Sequence, residues 1–258
     1  MKFVFFLIMQ NECNAQDGYM IRSKALYLLL LAAFTVAEAG AAVINFTGTD
    51  PARSFNFWMR ATYNVGDMLT NGQLAVAQQT INEAVPAGVM NLIVDGSLRV
   101  DAFCVDYFVL INQGNHNVNL FGQDAITGGG RIQWMLLNTL PTINAQANAT
   151  LKRQQAAALQ LAIWDVVHDN GDGFTAGRIQ QSTNAANLTD SIVLSNATNY
   201  LAASVGRTAL GGVVYVNVQG ITTSQRLMSD GVPEPATYAL LGGGLVAMGL
   251  LGRRSRRG

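Results

Sequence analysis

The stretch Leu92–Phe108, LIVDGSLRVDAFCVDYF, decides the fold class of this chain. Apolar residues on both sides of Asp95-Gly96 predict two strands, and Asp-Gly favours the tight turn of a β-hairpin because both positions tolerate a positive φ. β-branched and aromatic residues continue the second strand to Phe108. The stretch therefore predicts a β-hairpin whose second strand contains Cys104.

Downstream of the hairpin, Leu151–His168 has the periodicity of an amphipathic helix. The apolar residues that share one face are Leu159, Ala162, Ile163, Val166 and Val167. Gln160 flanks this face, one turn before Trp164. We therefore predict an α+β fold: a β-rich domain with an inserted helical segment.

The cysteines limit the chemistry further. The chain has Cys13 and Cys104, and Cys13 lies in or before a predicted leader, so the mature protein keeps one cysteine. An unpaired cysteine in an exported protein has three explanations, which are a buried inert thiol, an intermolecular disulfide or a reactive group.

The hairpin and the helix together resemble the thioester-domain family of bacterial surface adhesins. That family carries an aromatic-Cys motif on a strand and a Thr-Gln-x-Ala-Ile/Val-Trp motif on a later helix. Here Phe103-Cys104 precedes Leu159-Gln160-Leu161-Ala162-Ile163-Trp164, with Leu159 where Gram-positive members have threonine. Arg131–Asn138 is similar to the helical segment that such domains place between the motifs, and the resemblance covers about Asp101–Phe174.

The resemblance implies an internal thioester between Cys104 and Gln160. The thiolate attacks the Gln160 carboxamide and expels ammonia, and a surface amine of a partner later attacks the acyl group. Such a step needs acid–base help, for which His168 and Asp106 are the nearest titratable groups in sequence. Aromatic side chains that would exclude water are Phe103, Tyr107 and Trp164.

The end of the chain, Val232–Arg257, has three parts. The triplet Pro233, Glu234 and Pro235 stands before an uncharged stretch, Ala236–Gly252. As a helix this stretch would span roughly 25 Å, so we predict a short transmembrane helix. The arginines that follow it would remain cytoplasmic under the positive-inside rule; they are Arg253, Arg254, Arg256 and Arg257.

This tail resembles the PEP-CTERM sorting signal of Gram-negative bacteria, a kind of tail also described as an ice-binding protein C-terminal region. Nothing in these residues indicates ice binding. The resemblance implies recognition by a membrane exosortase, with removal or exchange of the anchor. An ordinary C-terminal tail anchor is the alternative reading.

The N-terminus predicts a secretory signal peptide. Arg22 and Lys24 form a basic region, Ala25–Ala37 an apolar region, and either Ala37-Glu38-Ala39 or Gly40-Ala41-Ala42 a small-residue cleavage site. The signal begins naturally at Met20, so residues 1–19 precede the expected translation start, and a long leader is the alternative.

These segments divide the chain into a leader over 1–42, a thioester-like ectodomain over 43–218, a polar linker over 219–231 and a sorting tail over 232–258. Between Val43 and Val232, nine basic side chains stand against twelve acidic ones, a net charge of −3, which argues against nucleic acid as a partner. We expect no cofactor and no metal: Asp169–Gly173 lacks the regular oxygen ligands of a calcium loop and is interpreted as a helix-terminating turn.

The sequence thus predicts an exported protein that passes through an inner-membrane-anchored precursor to the cell surface or extracellular matrix. Three functions compete: covalent attachment to surface amines, non-covalent adhesion within the exopolysaccharide layer, and a secreted enzyme of unrecognised mechanism. The first two involve no catalytic turnover, since a thioester transfers its acyl group once. The expected partners are the secretion machinery, the exosortase, the membrane, and amines or exopolysaccharide.

Overall fold

The computed structural model describes residues 41–69, 72–219 and 224–231. The predicted signal peptide, Cys13, the Pro-Glu-Pro triplet, the transmembrane helix and the four arginines lie outside these residues. Among the helices that are described, none is long and apolar enough to cross a membrane.

The described residues form a sheet-rich mixed α/β domain. Its strands are β1 (Ala41–Tyr63), β2 (Gln79–Val94), β3 (Leu98–Cys104), β4 (Gly114–Gly122), β5 (Ile179–Gln181), β6 (Val213–Asn217) and β7 (Leu227–Ser229). Its helices are α1 (Gly129–Ala145), α2 (Ala149–Asp169) and α3 (Ser191–Ser204), with a short 3₁₀ turn at Gln123–Ala125. The α+β prediction is therefore confirmed for this part of the chain, and α1 contains the predicted helical segment Arg131–Asn138.

The seven strands form one antiparallel sheet in the order β2-β3-β7-β6-β4-β1-β5. β1 also pairs with β2, so the pairings lead from β1 through the sheet and back to β1. The closure is made at Ile44–Phe46, which pairs with β4 on one side and with β2 on the other, while β1 continues along β2 to Tyr63 and pairs with β5 at Met59–Ala61.

β2 and β3 are the hairpin that the sequence predicts, with Val94 opposite Leu98. Asp95 and Gly96 adopt φ values of 47° and 73°, as a type I′ turn requires. The second strand ends at Cys104, however, and does not continue to Phe108. The backbone beyond Cys104 leaves the ladder, and the Tyr107 N–H donates to a side chain on α2, His168.

α2 is the predicted helix, and it is buried more completely than an amphipathic helix would be. Every residue from Ala156 to Val166 is buried, because α2 contacts β1 and β2 of the sheet as well as α1 and α3. The Asn148 side chain caps its N-terminus by accepting from the N–H groups of Thr150 and Leu151. Asn170 ends it in the left-handed conformation.

The segment 219–231, predicted as a polar linker, contains a buried strand. Leu227–Ser229 forms β7, which pairs with β3 on one side and β6 on the other. Leu227, Met228 and Ser229 are fully buried. A strand of three residues has too few positions for a recognisable period, and the space between β3 and β6 determines its conformation.

Candidate functional site

The fold brings Cys104 and Gln160 together at the end of β3. The backbone N–H of Cys104 donates to Gln160 Oε1 at 3.0 Å, and Gln160 Nε2 donates to the Cys104 carbonyl at 2.6 Å. Both polar atoms of the carboxamide are thus bonded to the backbone of the cysteine, which fixes the carboxamide carbon beside the residue that carries the thiol.

This pair is removed from water. Cys104 is 2% exposed and Gln160 1% exposed. Burial raises the pKa of the Cys104 thiol well above its ordinary value, and the negative charge of Asp106 raises it further. The thiol is therefore neutral at physiological pH. Leu159, at the position of the family's threonine, is fully buried and places an apolar side chain there.

Two further side chains contact the Cys104 sulfur. Gln225 Oε1 lies 2.9 Å from Cys104 Sγ, and Met90 Sδ lies 3.1 Å from it. Gln225 Nε2 in turn donates to the Asp106 carbonyl. Gln225 lies in the segment that the sequence indicates as linker, and no local motif marks it, so the sequence analysis missed it.

The Asp106 carboxylate, one predicted acid–base group, is held in an ion pair. Arg226 donates to both of its oxygens through its guanidinium, with an Nη2–Oδ1 distance of 2.6 Å, and through its backbone N–H at 2.9 Å. Both oxygens of the Asp106 carboxylate therefore accept hydrogen bonds from Arg226. Asp106 therefore fastens residues 225–226 to the loop that follows Cys104.

His168, the other predicted acid–base group, accepts a hydrogen bond from the Tyr107 N–H at its Nε2, at 3.2 Å. Burial lowers the pKa of His168 to about 4, and the nearby Arg178 charge contributes to this shift. The imidazole is thus neutral, with Nε2 as the acceptor. Its described hydrogen bond goes to the loop after Cys104 and not to the thiol or to Gln160.

Aromatic rings cover this region. Tyr107 meets Trp164 edge-on at 4.9 Å between ring centroids, and Phe108 meets His168 edge-on at the same distance. Tyr107 also donates from its hydroxyl to Glu83 at 2.5 Å. The predicted shielding by Tyr107 and Trp164 agrees with their exposure of 7% and 4%.

Three carboxylates converge at the C-terminal end of α2. Oxygen atoms of Asp165, Asp169 and Asp172 lie within 4.8 Å of one another. Asp169 accepts the N–H groups of residues 178 and 179, and Asp165 accepts that of Gly173, so two of the three carboxylates organise the turn that ends the helix. Burial raises the pKa of Asp165 to about 7.

A separate cavity of about 670 Å³ lies away from the cysteine and the glutamine. Its lining includes the ion pairs of Arg53 with Asp50 and Asp101, together with Asn144 and Asp230. Neither Cys104 nor Gln160 lines it.

Comparison with family models gives two matches. Residues 101–204 match the thioester domain, and residues 231–257 match the PEP-CTERM protein-sorting motif. Both resemblances seen in the sequence are thereby confirmed. Together they indicate an exported cell-surface protein. The first match contains Cys104 and Gln160 but ends before Gln225.

Two solved structures from Streptococcus pyogenes are distantly similar. The N-terminal domain of the pilus tip adhesin Cpa is 13% identical, with 67% of this chain and 91% of that chain covered and a TM-score of 0.36. The N-terminal thioester domain of fibronectin-binding protein SfbI is 11% identical, with 73% and 98% covered and a TM-score of 0.37. A search of the curated proteins gives no match.

Proposed function

We propose that this protein is sorted to the cell surface by an exosortase and attaches there to amines through an internal thioester between Cys104 and Gln160. The observation that carries the proposal is the double hydrogen bond between the Gln160 carboxamide and the Cys104 backbone, inside the region that matches the thioester domain.

Bond formation needs only groups that are present in this site. The Cys104 sulfur attacks the Gln160 carboxamide carbon, the C–N bond breaks, and the thiol proton leaves with the amide nitrogen as ammonia. The Cys104 N–H already donates to Gln160 Oε1 and would stabilise the charge that develops on this oxygen. Fixing both reactants in contact can supply effective molarities of roughly 10⁵ M or more.

In the capture step an amine is the attacking group and the Cys104 thiol is the leaving group. A primary amine attacks the Gln160 carbonyl, an amide bond forms, and the C–S bond breaks to give back the Cys104 thiol. The burial of both residues protects the acyl group from hydrolysis. It also means that the amine gains access only when the loop after Cys104 or residues 224–226 move. Capture is single-use, because the acyl group is consumed.

The sorting steps belong to the same proposal. A signal peptide within residues 1–42 would direct export, and a helix over 236–252 would hold the precursor in the inner membrane of a Gram-negative cell. The exosortase would act at Pro233-Glu234-Pro235, within the matched sorting motif. The processed protein would remain at the surface or in the extracellular matrix.

A second candidate function is non-covalent adhesion within the exopolysaccharide layer. The observation that favours it is the burial of Cys104 and Gln160, because an amine outside the domain cannot reach either residue in this structure.

Capture of a fluorescent primary amine distinguishes the two candidates. We expect the wild-type protein to become labelled at Gln160 and the variants Cys104→Ala and Gln160→Ala to remain unlabelled. Cys104→Ala keeps the backbone bonds to Gln160 and should unfold at a similar temperature. Gln154→Ala is the matched control, since Gln154 is another buried glutamine of α2 and bonds to Asp190 instead. Wild-type protein that stays unlabelled, or Cys104→Ala protein that labels equally, would refute the covalent function.

A further inference from the structure

The Cys104 sulfur has two neighbours that can accept its single proton. Gln225 Oε1 lies 2.9 Å away, and Met90 Sδ lies 3.1 Å away. A carboxamide oxygen is a much better acceptor than a thioether sulfur. The S–H bond therefore points to Gln225, and this contact fixes the rotamer of the cysteine.

Gln225 is itself held rigidly. It is 8% exposed, its Nε2 donates to the Asp106 carbonyl, and its backbone N–H donates to the Leu110 carbonyl at 3.3 Å. The next residue, Arg226, binds the Asp106 carboxylate and accepts the Val105 N–H at its carbonyl at 3.0 Å. Residues 225–226 are thus bonded to the loop after Cys104 from both sides.

We propose that Gln225 is a positioning residue for the reaction between Cys104 and Gln160. Its side-chain carbonyl holds the Cys104 thiol in the rotamer from which the sulfur attacks. This inference rests on the proposed function. The carboxamide of Gln160 is already fixed to the Cys104 backbone, so the rotamer of Cys104 decides whether the sulfur meets the carboxamide carbon. Gln225 lies outside the matched region 101–204, so the segment that precedes the sorting tail contributes a third residue to the site.

The same contact affects the protonation of the sulfur. Gln225 Oε1 and Met90 Sδ are both electron-rich, and the Arg226 guanidinium is bonded to Asp106, so no described basic side chain hydrogen-bonds to the sulfur. The thiol therefore reacts as S–H: the S–C bond forms, the C–N bond breaks, and the proton passes from sulfur to the departing nitrogen. After capture, the carbonyl again holds the S–H, which disfavours a thiolate that could attack the new amide.

Two measurements on the full chain test this role. The first is the rate at which ammonia is lost from Gln160 after refolding, followed by mass spectrometry. Gln225→Met has a similar length but replaces the carbonyl by a thioether, a much weaker acceptor, and we expect it to slow the reaction about tenfold, as loss of one buried hydrogen bond would. The matched control Gln154→Met alters a glutamine that bonds to Asp190 and should leave the rate unchanged.

The second measurement is the S–H stretching band in the Raman spectrum of a Cys13→Ser, Gln160→Ala protein, in which Cys104 stays a free thiol. We expect the band at the lower frequency of a hydrogen-bonded thiol, and a shift towards the free-thiol frequency when Gln225→Met is added. A structural role alone would not move this band in a folded protein.

The outcomes separate this inference from the function on which it rests. Ammonia loss at the wild-type rate in a folded Gln225→Met protein would overturn the role of Gln225 and leave the thioester intact. If Gln225→Met fails to fold, a free-thiol band in the Cys13→Ser, Gln160→Ala protein would still overturn it. Absence of ammonia loss from the wild-type protein would instead refute the proposed function, and the role of Gln225 with it.

Discussion

At the scale of single residues, Cys104 and Gln160 are buried, and the Cys104 thiol and the His168 imidazole beside them are neutral. The Cys104 thiol has a raised pKa, and the pKa of His168 is lowered to about 4, in both cases mainly through burial. Asp106 is paired with Arg226. The residues that the sequence offers as acid and base are therefore bonded to the loop after Cys104, and the proposed reaction relies on the thiol and the carboxamide themselves.

Asp165 gives the first residue-scale prediction. Its pKa is raised to about 7 by burial and by repulsion from Asp169 and Asp172. Between about pH 4 and pH 7 the folded protein thus holds a proton that the unfolded chain has lost, so this contribution to stability is present below pH 4 and is lost as pH rises to 7. Asp165→Asn removes the titration, and we expect its unfolding temperature to exceed the wild-type value by about 3–6 °C at pH 8.

The measurement is thermal unfolding of both proteins from pH 4 to pH 8. The difference between them should grow with pH, and comparing the two cancels the contribution of His168, which has the opposite sign because its lowered pKa costs stability as pH falls from 6.5 to 4. The exposed carboxylate variant Asp124→Asn is the control. A difference that stays constant with pH would contradict the raised pKa of Asp165.

The sequence predicts those site residues that stand in a short local motif, and it misses a residue that reaches the site from far along the chain. Cys104 and Gln160 each stand in a short local motif, and the hydrogen bonds between them agree with their pairing. Gln225 meets Cys104 from 121 positions away along the chain, without any motif around it. A contact of this kind depends on the closed sheet, so periodicity and composition could not reveal it.

At the scale of elements, local patterns predict the long segments and fail for the short ones. The β2–β3 hairpin has Asp-Gly at its turn and alternating apolar residues in its second strand, and α2 has eighteen residues of helical period. The sequence therefore predicts both elements. β7 has three residues and owes its conformation to the neighbouring strands β3 and β6. The burial of α2 on all sides also depends on elements far away in the sequence.

At this scale we predict that the domain needs β7 in order to fold. A chain that ends at residue 218, the predicted domain boundary, lacks Leu227 and Met228, whose buried side chains contribute about 3–6 kcal/mol together. It also lacks the ion pair of Arg226 with Asp106. We expect chains that span 41–231 to unfold cooperatively on heating, and chains that span 41–218 to be largely unfolded, as followed by circular dichroism.

A chain that spans 41–226 is the control, because it keeps Gln225 and Arg226 but not the strand. An intermediate unfolding temperature for it would assign the remaining loss to β7. Equal unfolding temperatures for the chains that end at 218 and at 231 would restore the interpretation of this segment as a linker.

At the scale of the whole molecule, the domain fills the interval between the predicted signal peptide and the matched sorting motif. β1 begins at Ala41, beside the two predicted cleavage sites, and β7 ends at Ser229, shortly before the matched sorting motif that begins at residue 231. Cys104 and Gln160 are thus enclosed in a domain that lies wholly before the sorting motif. Under the proposed function, this burial would protect the acyl group during export, before it meets an amine.

The state of the bond between Cys104 and Gln160 is the central claim, and mass spectrometry of the purified protein before and after methylamine tests it most directly. The account predicts a mass one ammonia short of the sequence, which methylamine restores as an N-methyl amide at Gln160 together with a newly alkylatable Cys104. Protein of full mass, with a free Cys104 and an unmodified Gln160 after the same treatment, would contradict it.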